Sequence, residues 1–192
     1  MNVLIVAATK LEITSDKISN LPILITGVGM LNTAINLTKE LNNNDYDLVI
    51  NIGVAGCFSD EIKIGKVVEV VEDCFPEIGF EDGESFSEFS DFNIKTKYKV
   101  EGKTSLRKVK GVTVNTVHGN ENSIHNIVEI LHPDIESMEG AAVFKVCEEM
   151  KIPCIQIRSI SNKVEKRNKE SWNLPLAISN LNIEVEKIVS TL

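Results

Sequence analysis

The chain has 192 residues, enough for one domain with a full hydrophobic core. Hydrophobic residues make up 43% of it and charged residues 25%, values that exclude a disordered or collagen-like chain. Its 20 basic and 28 acidic side chains give a net charge of −8, so its field repels nucleic-acid backbones and anionic membrane surfaces. We therefore expect a single domain over residues 1–192, with no nucleic-acid partner and no membrane partner.

Neither the cysteines nor the N-terminus indicates secretion. Cys57, Cys74, Cys147 and Cys154 are scattered, without a C-x-x-C pair or a histidine at metal-ligand spacing, so we expect reduced, buried thiols and no metal site. The start of the chain lacks the cationic residues and cleavage site of a signal peptide, and no apolar run is long enough to cross a bilayer. These features predict a cytoplasmic protein.

Apolar residues alternate along the chain between strand-like and helix-like patterns. Continuous apolar runs of the kind found in doubly covered strands occupy residues 3–8, 23–26, 48–52 and 155–160. Helical spacing is shown by Leu31, Ala34, Ile35, Thr38 and Leu41; by Ile124, Ile127, Val128 and Leu131; by Ala142, Val143, Val146 and Met150; and by Leu174, Ile178, Leu181, Val185 and Ile188. This alternation predicts an α/β fold with a central, mostly parallel sheet flanked by helices.

Residues 73–92, the acidic Phe-rich segment, have an unusual composition. They contain seven acidic side chains, no Lys or Arg, and five of the seven phenylalanines of the chain. Two interpretations fit. The phenylalanines fill the rim of the core while the acids face water, or the segment is a lid or a contact between subunits.

Two glycine-containing turns follow predicted strands. Gly27-Val28-Gly29 precedes a helix, where its N–H groups can face a ligand, but Asn32 replaces the third glycine of a dinucleotide fingerprint. A tight structural turn and an NAD site both remain open there. Gly53, Val54, Ala55 and Gly56 come directly after the third run and predict a loop that lets a ligand approach the main chain. Ligands of open α/β sheets bind at such strand ends.

Two short strings carry the strongest functional signal. Glu136-Ser137-Met138-Glu139-Gly140-Ala141-Ala142 precedes a predicted helix, and Arg158-Ser159-Ile160-Ser161-Asn162 ends a predicted strand. They resemble the nucleosidase and nucleoside phosphorylase superfamily, in which a Met-Glu-(Gly or Ala)-x-Ala element binds ribose and an Arg-x-Ile-Ser-(Asp or Asn) strand end meets the purine. The run from Ile160 to Asn168, followed by Trp172, is most similar to futalosine hydrolases.

The resemblance covers most of the chain, from Val3 to the last helix, and implies a fold of the nucleoside phosphorylase type. It implies hydrolysis of futalosine to hypoxanthine and dehypoxanthine futalosine on a route to menaquinone, without a cofactor. It also implies a homodimer or a larger homo-oligomer.

The resemblance also implies roles for particular residues. Glu12 corresponds to the water-activating carboxylate, Glu139 binds ribose and Asn162 meets the base. The substrate-binding residues are Ser137, Met138, Gly53, Val54, Ala55, Ser161 and Trp172. Trp172 corresponds to an aromatic over the ligand, although packing in the core is an alternative for it. Futalosine carries a benzoate-type carboxylate, and Lys163, Lys166 and Arg167 are candidates for holding it, although a solvated run of charges is an equal alternative.

Chemical reasoning about these residues agrees with the implied roles. Hydrolysis of an N-glycosidic bond passes through an oxocarbenium-like sugar, so it needs negative charge near the ribose and a base for water. Glu139 can accept strong charge-assisted bonds from ribose hydroxyls, although a carboxylate at a helix start also favours the helix dipole. The amide of Asn162 can donate to O6 and accept from N7–H, which favours hypoxanthine or guanine over adenine, unless it only caps the next segment.

Several alternatives remain open at this stage. Phosphorylases of this superfamily commonly aim an arginine from this part of the chain at phosphate. The first sixty residues contain no Arg and only Lys10, Lys17 and Lys39 as cations, which favours hydrolysis unless a partner subunit supplies an arginine. Other candidates are a methylthioadenosine/adenosylhomocysteine nucleosidase, a purine nucleoside phosphorylase, an NAD-dependent oxidoreductase and a non-catalytic nucleoside sensor. The three histidines, at positions 118, 125 and 132, are predicted to have no chemical role because they do not cluster with the carboxylates.

Overall fold

The structure, a computed structural model, describes residues 1–83 and 85–192. Of residue 85 it describes only the backbone. It is an α/β fold with ten described strands. They are β1 (Val3–Ala7), β2 (Ile23–Ile25), β3 (Leu48–Cys57), β4 (Val67–Cys74), β5 (Phe80–Asp82), β6 (Ser85–Ser87), β7 (Lys97–Lys99), β8 (Arg107–Thr113), β9 (Ile135–Ser137) and β10 (Cys154–Lys163).

Within the described residues, five α-helices and two short 3₁₀ turns connect these strands. The helices are α1 (Asp16–Ser19), α2 (Met30–Asn43), α3 (Glu121–Leu131), α4 (Gly140–Met150) and α5 (Leu174–Ser190), and the 3₁₀ turns are Lys10–Glu12 and Lys169–Ser171. Capping side chains stabilise the first turns of two of these helices. Asn120 accepts N–H bonds at the start of α3, and Asn173 does so for α5, which has proline in its first turn.

The main sheet is mixed and partly closed. Its order is β10-β4-β8-β9-β3-β1-β2, and β10 also pairs with β3, so β3, β10, β4, β8 and β9 form a ring while β1 and β2 extend it. Five of the pairings described in this sheet are parallel and three are antiparallel. The predicted α/β class is confirmed, and β9 brings a further strand end to β3.

Strand β3 is longer than predicted. Gly53 to Gly56 is not a loop after the strand but its second half, because β10 pairs with it from Val49 to Cys57. The predicted loop is therefore wrong. Glycine weakens a strand interior on its own, but here it marks a place where other groups approach the backbone closely.

Helix α2 presents a different face to the core from the one predicted. Leu31 and Ile35 are exposed, whereas Thr33, Leu37 and Leu41 are buried. An apolar pattern misses Thr33, whose buried hydroxyl forms a hydrogen bond of 3.2 Å with the Thr26 hydroxyl. The patterns for α3, α4 and α5 include residues that are buried, among which are Ile127, Val143 and Leu181.

The four cysteines are free and buried, as predicted. Strands β5 and β6 form a hairpin in the acidic Phe-rich segment, and Phe80, Phe86, Phe89 and Phe92 are all at least 38% exposed. These four side chains do not fill the core rim, so that interpretation is wrong for them, whereas Phe75 packs edge to face on Tyr98. The lid or subunit contact stays a prediction, and Glu84 lies outside the described residues. Among the helices of the described residues, none combines the length and apolarity that a bilayer crossing requires.

Candidate active site

A cavity of about 370 Å³ opens where β1, β3 and β10 end. It gathers residues from distant parts of the chain, and most of the predicted site residues line it. Those that do are Glu12, Val54, Ala55, Ser137, Met138, Glu139, Ser161, Asn162, Arg167 and Trp172. Gly53 does not line the cavity; it lies behind Glu12.

Glu12 is held rigidly at one wall of this cavity. It ends the 3₁₀ turn after β1 and is 8% exposed. Its Oε2 accepts from the N–H of Thr9 at 2.9 Å, and its Oε1 accepts from the N–H of Val54 at 3.3 Å. Burial raises the pKa of Glu12, and the neighbouring Glu139 raises it further, while the Thr9 N–H and the Arg158 guanidinium act in the opposite direction.

Gly53 makes room for a buried arginine beside Glu12. A Cβ at Gly53 would stand 2.5 Å from Nη1 of Arg158 and 2.9 Å from Oε1 of Glu12, so a side chain cannot fit there without displacing them. Arg158 is 1% exposed, and its Nη2 donates to Oδ1 of Asn51 at 2.5 Å. The guanidinium therefore offsets negative charge at Glu12 without lining the cavity.

Glu139 occupies the position before the first residue of α4 and is 9% exposed. Its side chain does not cap its own helix. Instead, Oε1 accepts from the N–H of Gly29 at 2.9 Å. Gly29 has a φ of 97° and precedes α2, so this N–H lies at the positive end of that helix. The glycine turn at 27–29 thus orients a carboxylate at this helix start, and that negative charge would repel a dinucleotide phosphate there.

A β-bulge at Ser161 directs Asn162 into the cavity. In the β3–β10 ladder Ile160 pairs with Ala55 and Asn162 pairs with Gly56, so Ser161 is the extra residue. Oδ1 of Asn162 accepts from the Ser161 hydroxyl at 2.8 Å, and Nδ2 donates to the Lys163 carbonyl at 2.8 Å. The amide keeps one N–H and one acceptor lone pair for a ligand.

Trp172 and Arg167 lie together at the cavity mouth. The Arg167 guanidinium lies over the Trp172 ring, 5.6 Å from its centroid. Of the two neighbouring lysines, Lys163 also lines the cavity, but its ammonium contacts Asp60 and the Ser59 carbonyl. Lys166 lines a separate depression against α3. Arg167 is therefore the member of this cluster best placed to meet a ligand in the cavity.

His118 and Glu136 are lining residues that the sequence analysis missed. Nδ1 of His118 lies 2.7 Å from Oε2 of Glu136, and both side chains line the cavity. The structure thus pairs His118 with a carboxylate other than Glu12 and Glu139, the two that the sequence analysis considered. The signal that could have found the pair is the position of Glu136, directly before the Ser137-Met138-Glu139 string.

A buried polar network supports α4 from behind the cavity. Oδ1 of Asp73 accepts from the Thr113 hydroxyl at 3.0 Å, and Oδ2 accepts from Nε2 of Gln156 at 3.1 Å. The Thr113 hydroxyl oxygen in turn accepts from the N–H of Ala141 at 2.7 Å. Burial, opposed by these bonds, raises the pKa of Asp73 to about 6. The network connects β4, β8 and β10 to the start of the helix that follows Glu139.

An α/β fold with two buried carboxylates and an amide around a cavity at strand ends defines an enzyme-type site for a small polar ligand. A sequence model of the Phosphorylase superfamily matches residues 10–190, so the chain belongs to this superfamily. It is 28% identical over 183 residues to a 5′-methylthioadenosine/S-adenosylhomocysteine nucleosidase of Marinomonas sp., covering 87% of this chain and 79% of that protein. It is 27% identical over 187 residues to a futalosine hydrolase of Streptomyces coelicolor, covering 88% and 79%.

The fold matches solved structures over nearly its whole length. One is the Helicobacter pylori 5′-methylthioadenosine/S-adenosylhomocysteine nucleosidase complexed with a pyrrolidinol that carries a 4-amino-5H-pyrrolo[3,2-d]pyrimidine. The TM-score is 0.86 at 15% identity, and the match covers 99% of this chain and 98% of that chain. At this identity the match establishes the fold.

Proposed function

We propose that the protein is a nucleosidase that hydrolyses the N-glycosidic bond of futalosine to hypoxanthine and dehypoxanthine futalosine, a step towards menaquinone. The observation that carries this proposal is the convergence of Glu12, Glu139 and Asn162 on one cavity. Membership of the Phosphorylase superfamily and the similarity to curated futalosine hydrolases support it.

Each of the three residues has a role in this reaction. Glu12 takes a proton from water as the water oxygen bonds to C1′ of the ribose, and the raised pKa of Glu12 suits a general base. Glu139 accepts from the ribose 2′- and 3′-hydroxyls, and its negative charge stabilises the developing cation. The electron pair of the broken C1′–N9 bond leaves with the purine. Asn162 donates to O6, where part of that negative charge accumulates. The purine then takes up one proton to become neutral hypoxanthine, and Glu12 gives up the proton that it took from water, directly or through solvent.

Water is favoured over phosphate as the nucleophile. Glu12 and Glu139 both bring negative charge to the cavity wall and would repel phosphate. The nearest buried cation, Arg158, is already bonded to Asn51 and does not line the cavity. We therefore propose hydrolysis instead of phosphorolysis, in agreement with the few cations in the first sixty residues.

Arg167 supports futalosine as the nucleoside. The carboxylate of futalosine needs a cation beyond the ribose, and Arg167 lines the cavity with its guanidinium over the Trp172 ring, 5.6 Å from the ring centroid. This distance is within cation–π range, and the planar guanidinium can bind a carboxylate through two N–H groups. Substrates without this carboxylate would gain nothing from it.

A second candidate is a 5′-methylthioadenosine/S-adenosylhomocysteine nucleosidase. It is supported by curated relatives that carry this name, one of them 28% identical over 87% of this chain. Asn162 favours futalosine over these adenine nucleosides, because an amide can donate to O6. The base that is released, hypoxanthine or adenine, therefore distinguishes the two candidate functions.

The test is a chromatographic assay of futalosine, inosine and methylthioadenosine, each with and without phosphate. We expect hypoxanthine from futalosine without phosphate, at a higher kcat/KM than for the other two nucleosides. Faster cleavage of methylthioadenosine would establish the second candidate, and a requirement for phosphate would establish a phosphorylase. Binding of futalosine without turnover would indicate a sensor, and oxidation or reduction of a nicotinamide cofactor would indicate an oxidoreductase. The Asn162→Asp variant should shift preference towards methylthioadenosine.

We also propose that the enzyme works as a homodimer or a larger homo-oligomer in the cytoplasm. Leu11 and Val28 line the cavity and are 76% and 50% exposed, and Leu31 in the first turn of α2 is 71% exposed. A second copy covering these side chains would shield both them and the cavity from water. Light scattering on the purified protein measures the mass, and a monomer at assay concentration would contradict this part of the proposal.

A further inference from the structure

His118 and Glu136 form a buried polar pair that the proposed reaction does not use. Glu136 is 4% exposed, and the side chain of His118 is 15% exposed. Besides the contact between its ring and Oε2 of Glu136, His118 donates its backbone N–H to Oε1 of Glu136 at 3.1 Å. Burying such groups is costly unless they are bonded, so this arrangement holds the carboxylate in one orientation.

The pair lies at the same end of the cavity as Asn162. Gly56 of β3 is the register partner of Glu136 in β9 and of Asn162 in β10, so these residues flank it from the two neighbouring strands. A Cβ on Gly56 would stand 3.3 Å from Nδ2 of Asn162 and 3.4 Å from Cγ of Glu136. The two side chains therefore converge over one glycine, with less than about 7 Å between these atoms.

The chemistry of a purine edge matches this pair of groups. A 6-oxopurine presents N7, O6 and N1–H in succession along one edge, whereas a 6-aminopurine has a bare acceptor at N1. An amide that meets N7 and O6 leaves N1–H for the next group along the edge. A carboxylate is an acceptor only, with about four lone-pair sites on its two oxygens, so Glu136 can accept a further bond besides those from His118.

We propose that Glu136 accepts a hydrogen bond from N1–H of a 6-oxopurine and thereby determines specificity for 6-oxo over 6-amino bases, with His118 as its positioning residue. This inference rests on the proposed nucleosidase function and extends its base recognition from Asn162 to a second side chain. An adenine at the same place would oppose its N1 lone pair to the carboxylate, an unpaired arrangement that a buried site rejects strongly.

The experiment compares the binding of hypoxanthine and 1-methylhypoxanthine, because methylation removes the N1–H and leaves O6 and N7. Trp172 is the only tryptophan and lines the cavity, so its fluorescence reports binding. In the wild-type protein we expect methylation to raise Kd at least about 10-fold, the effect of losing a hydrogen bond to a charged group. In Glu136→Gln, we expect the side-chain carbonyl to accept from the backbone N–H of His118 and the NH2 group to face the base. Because this NH2 group cannot accept from N1–H, we expect methylation to change Kd less than about 3-fold.

His118 and the controls complete the design. His118→Phe should weaken the discrimination against 1-methylhypoxanthine, and His118→Asn, which returns a donor near the position of Nδ1, should restore part of it. Glu129→Gln changes an exposed glutamate of α3 and should behave as wild type. An equal effect of methylation in the wild-type protein and in Glu136→Gln would overturn this inference while leaving the nucleosidase proposal standing. Failure of hypoxanthine to bind the wild-type protein would instead overturn the proposed function, and this inference with it.

Discussion

Asp73 offers a quantitative test of the network behind the active site. Its carboxyl group is 1% exposed, and burial raises its pKa from 3.8 to about 6. An unfolded chain has an ordinary pKa near 3.9, so the folded protein binds this proton more tightly than the unfolded protein does. The contribution of Asp73 to stability is therefore fully present below about pH 4 and is lost as the pH rises through about 6.

The size of this effect follows from the difference between the two pKa values. A difference of about two units corresponds to roughly 3 kcal/mol, at about 1.4 kcal/mol per unit. The Asp73→Asn variant cannot ionise. Its amide can donate to Oε1 of Gln156, which has no hydrogen-bond partner within residues 1–83 and 85–192. We therefore expect the free energy of unfolding of the variant, relative to wild type, to rise by about 2–3 kcal/mol between pH 4 and pH 7.5.

The assay is urea unfolding of both proteins at several pH values, followed by far-UV circular dichroism. Asp91→Asn, at an exposed position of the acidic Phe-rich segment, is the matched control and should show no such pH-dependent difference. A difference between Asp73→Asn and wild type that stays constant from pH 4 to pH 7.5 would refute the account of Asp73 as a buried acid.

Three further predictions concern the site. Glu12→Gln should lower kcat for futalosine at least about 100-fold, while Trp172 fluorescence still reports binding. The wild-type rate should decline as the pH falls through the raised pKa of Glu12, and the variant should not show this decline. Near-normal turnover would remove Glu12 from the mechanism. Arg167→Gln should lower kcat/KM for futalosine roughly 10- to 100-fold but leave inosine unchanged, with Lys166→Gln as control, and an equal loss for both substrates would contradict carboxylate binding. Gly140→Ala would place a Cβ 2.2 Å from Oδ2 of Asp73 and should lower Tm by roughly 2–12 °C, because overpacking costs about 1–3 kcal/mol. Gly119→Ala, whose Cβ meets nothing closer than 3.6 Å, should not change Tm, and equal Tm values for all three proteins would be inconsistent with tight packing at Gly140.

Features that depend on residues close together in the sequence were predicted well. The apolar runs identified the cores of β1, β2, β3 and β10, because a doubly buried strand must be apolar along its length. The helical patterns located α2 to α5 for a similar reason. The Met138-Glu139 string and the strand end at Asn162 indicated the superfamily, since residues that are consecutive in the chain carry both signals.

Features that depend on pairing between distant segments were not predictable. Strand β3 continues through Gly53 and Gly56 because β10, about a hundred residues later, supplies its hydrogen bonds. Helix α2 buries Thr33 instead of Leu31 because its polar partner is Thr26 at the end of β2. A pattern of apolar residues identifies neither β10 as the partner of β3 nor Thr26 as the partner of Thr33.

The chain by itself determined the class of fold, the main strands and helices, and the identity of the two carboxylates and the amide proposed for catalysis. Only the tertiary structure decided what surrounds them: Arg158 behind Glu12, the Gly29 N–H on Glu139, and the His118–Glu136 pair across Gly56 from Asn162. The physical reason is that secondary structure follows from the spacing of residues along the chain, whereas burial and hydrogen-bond partners are set by strand order and register. Those partners orient the site residues, and burial together with neighbouring charges tunes the pKa of Glu12.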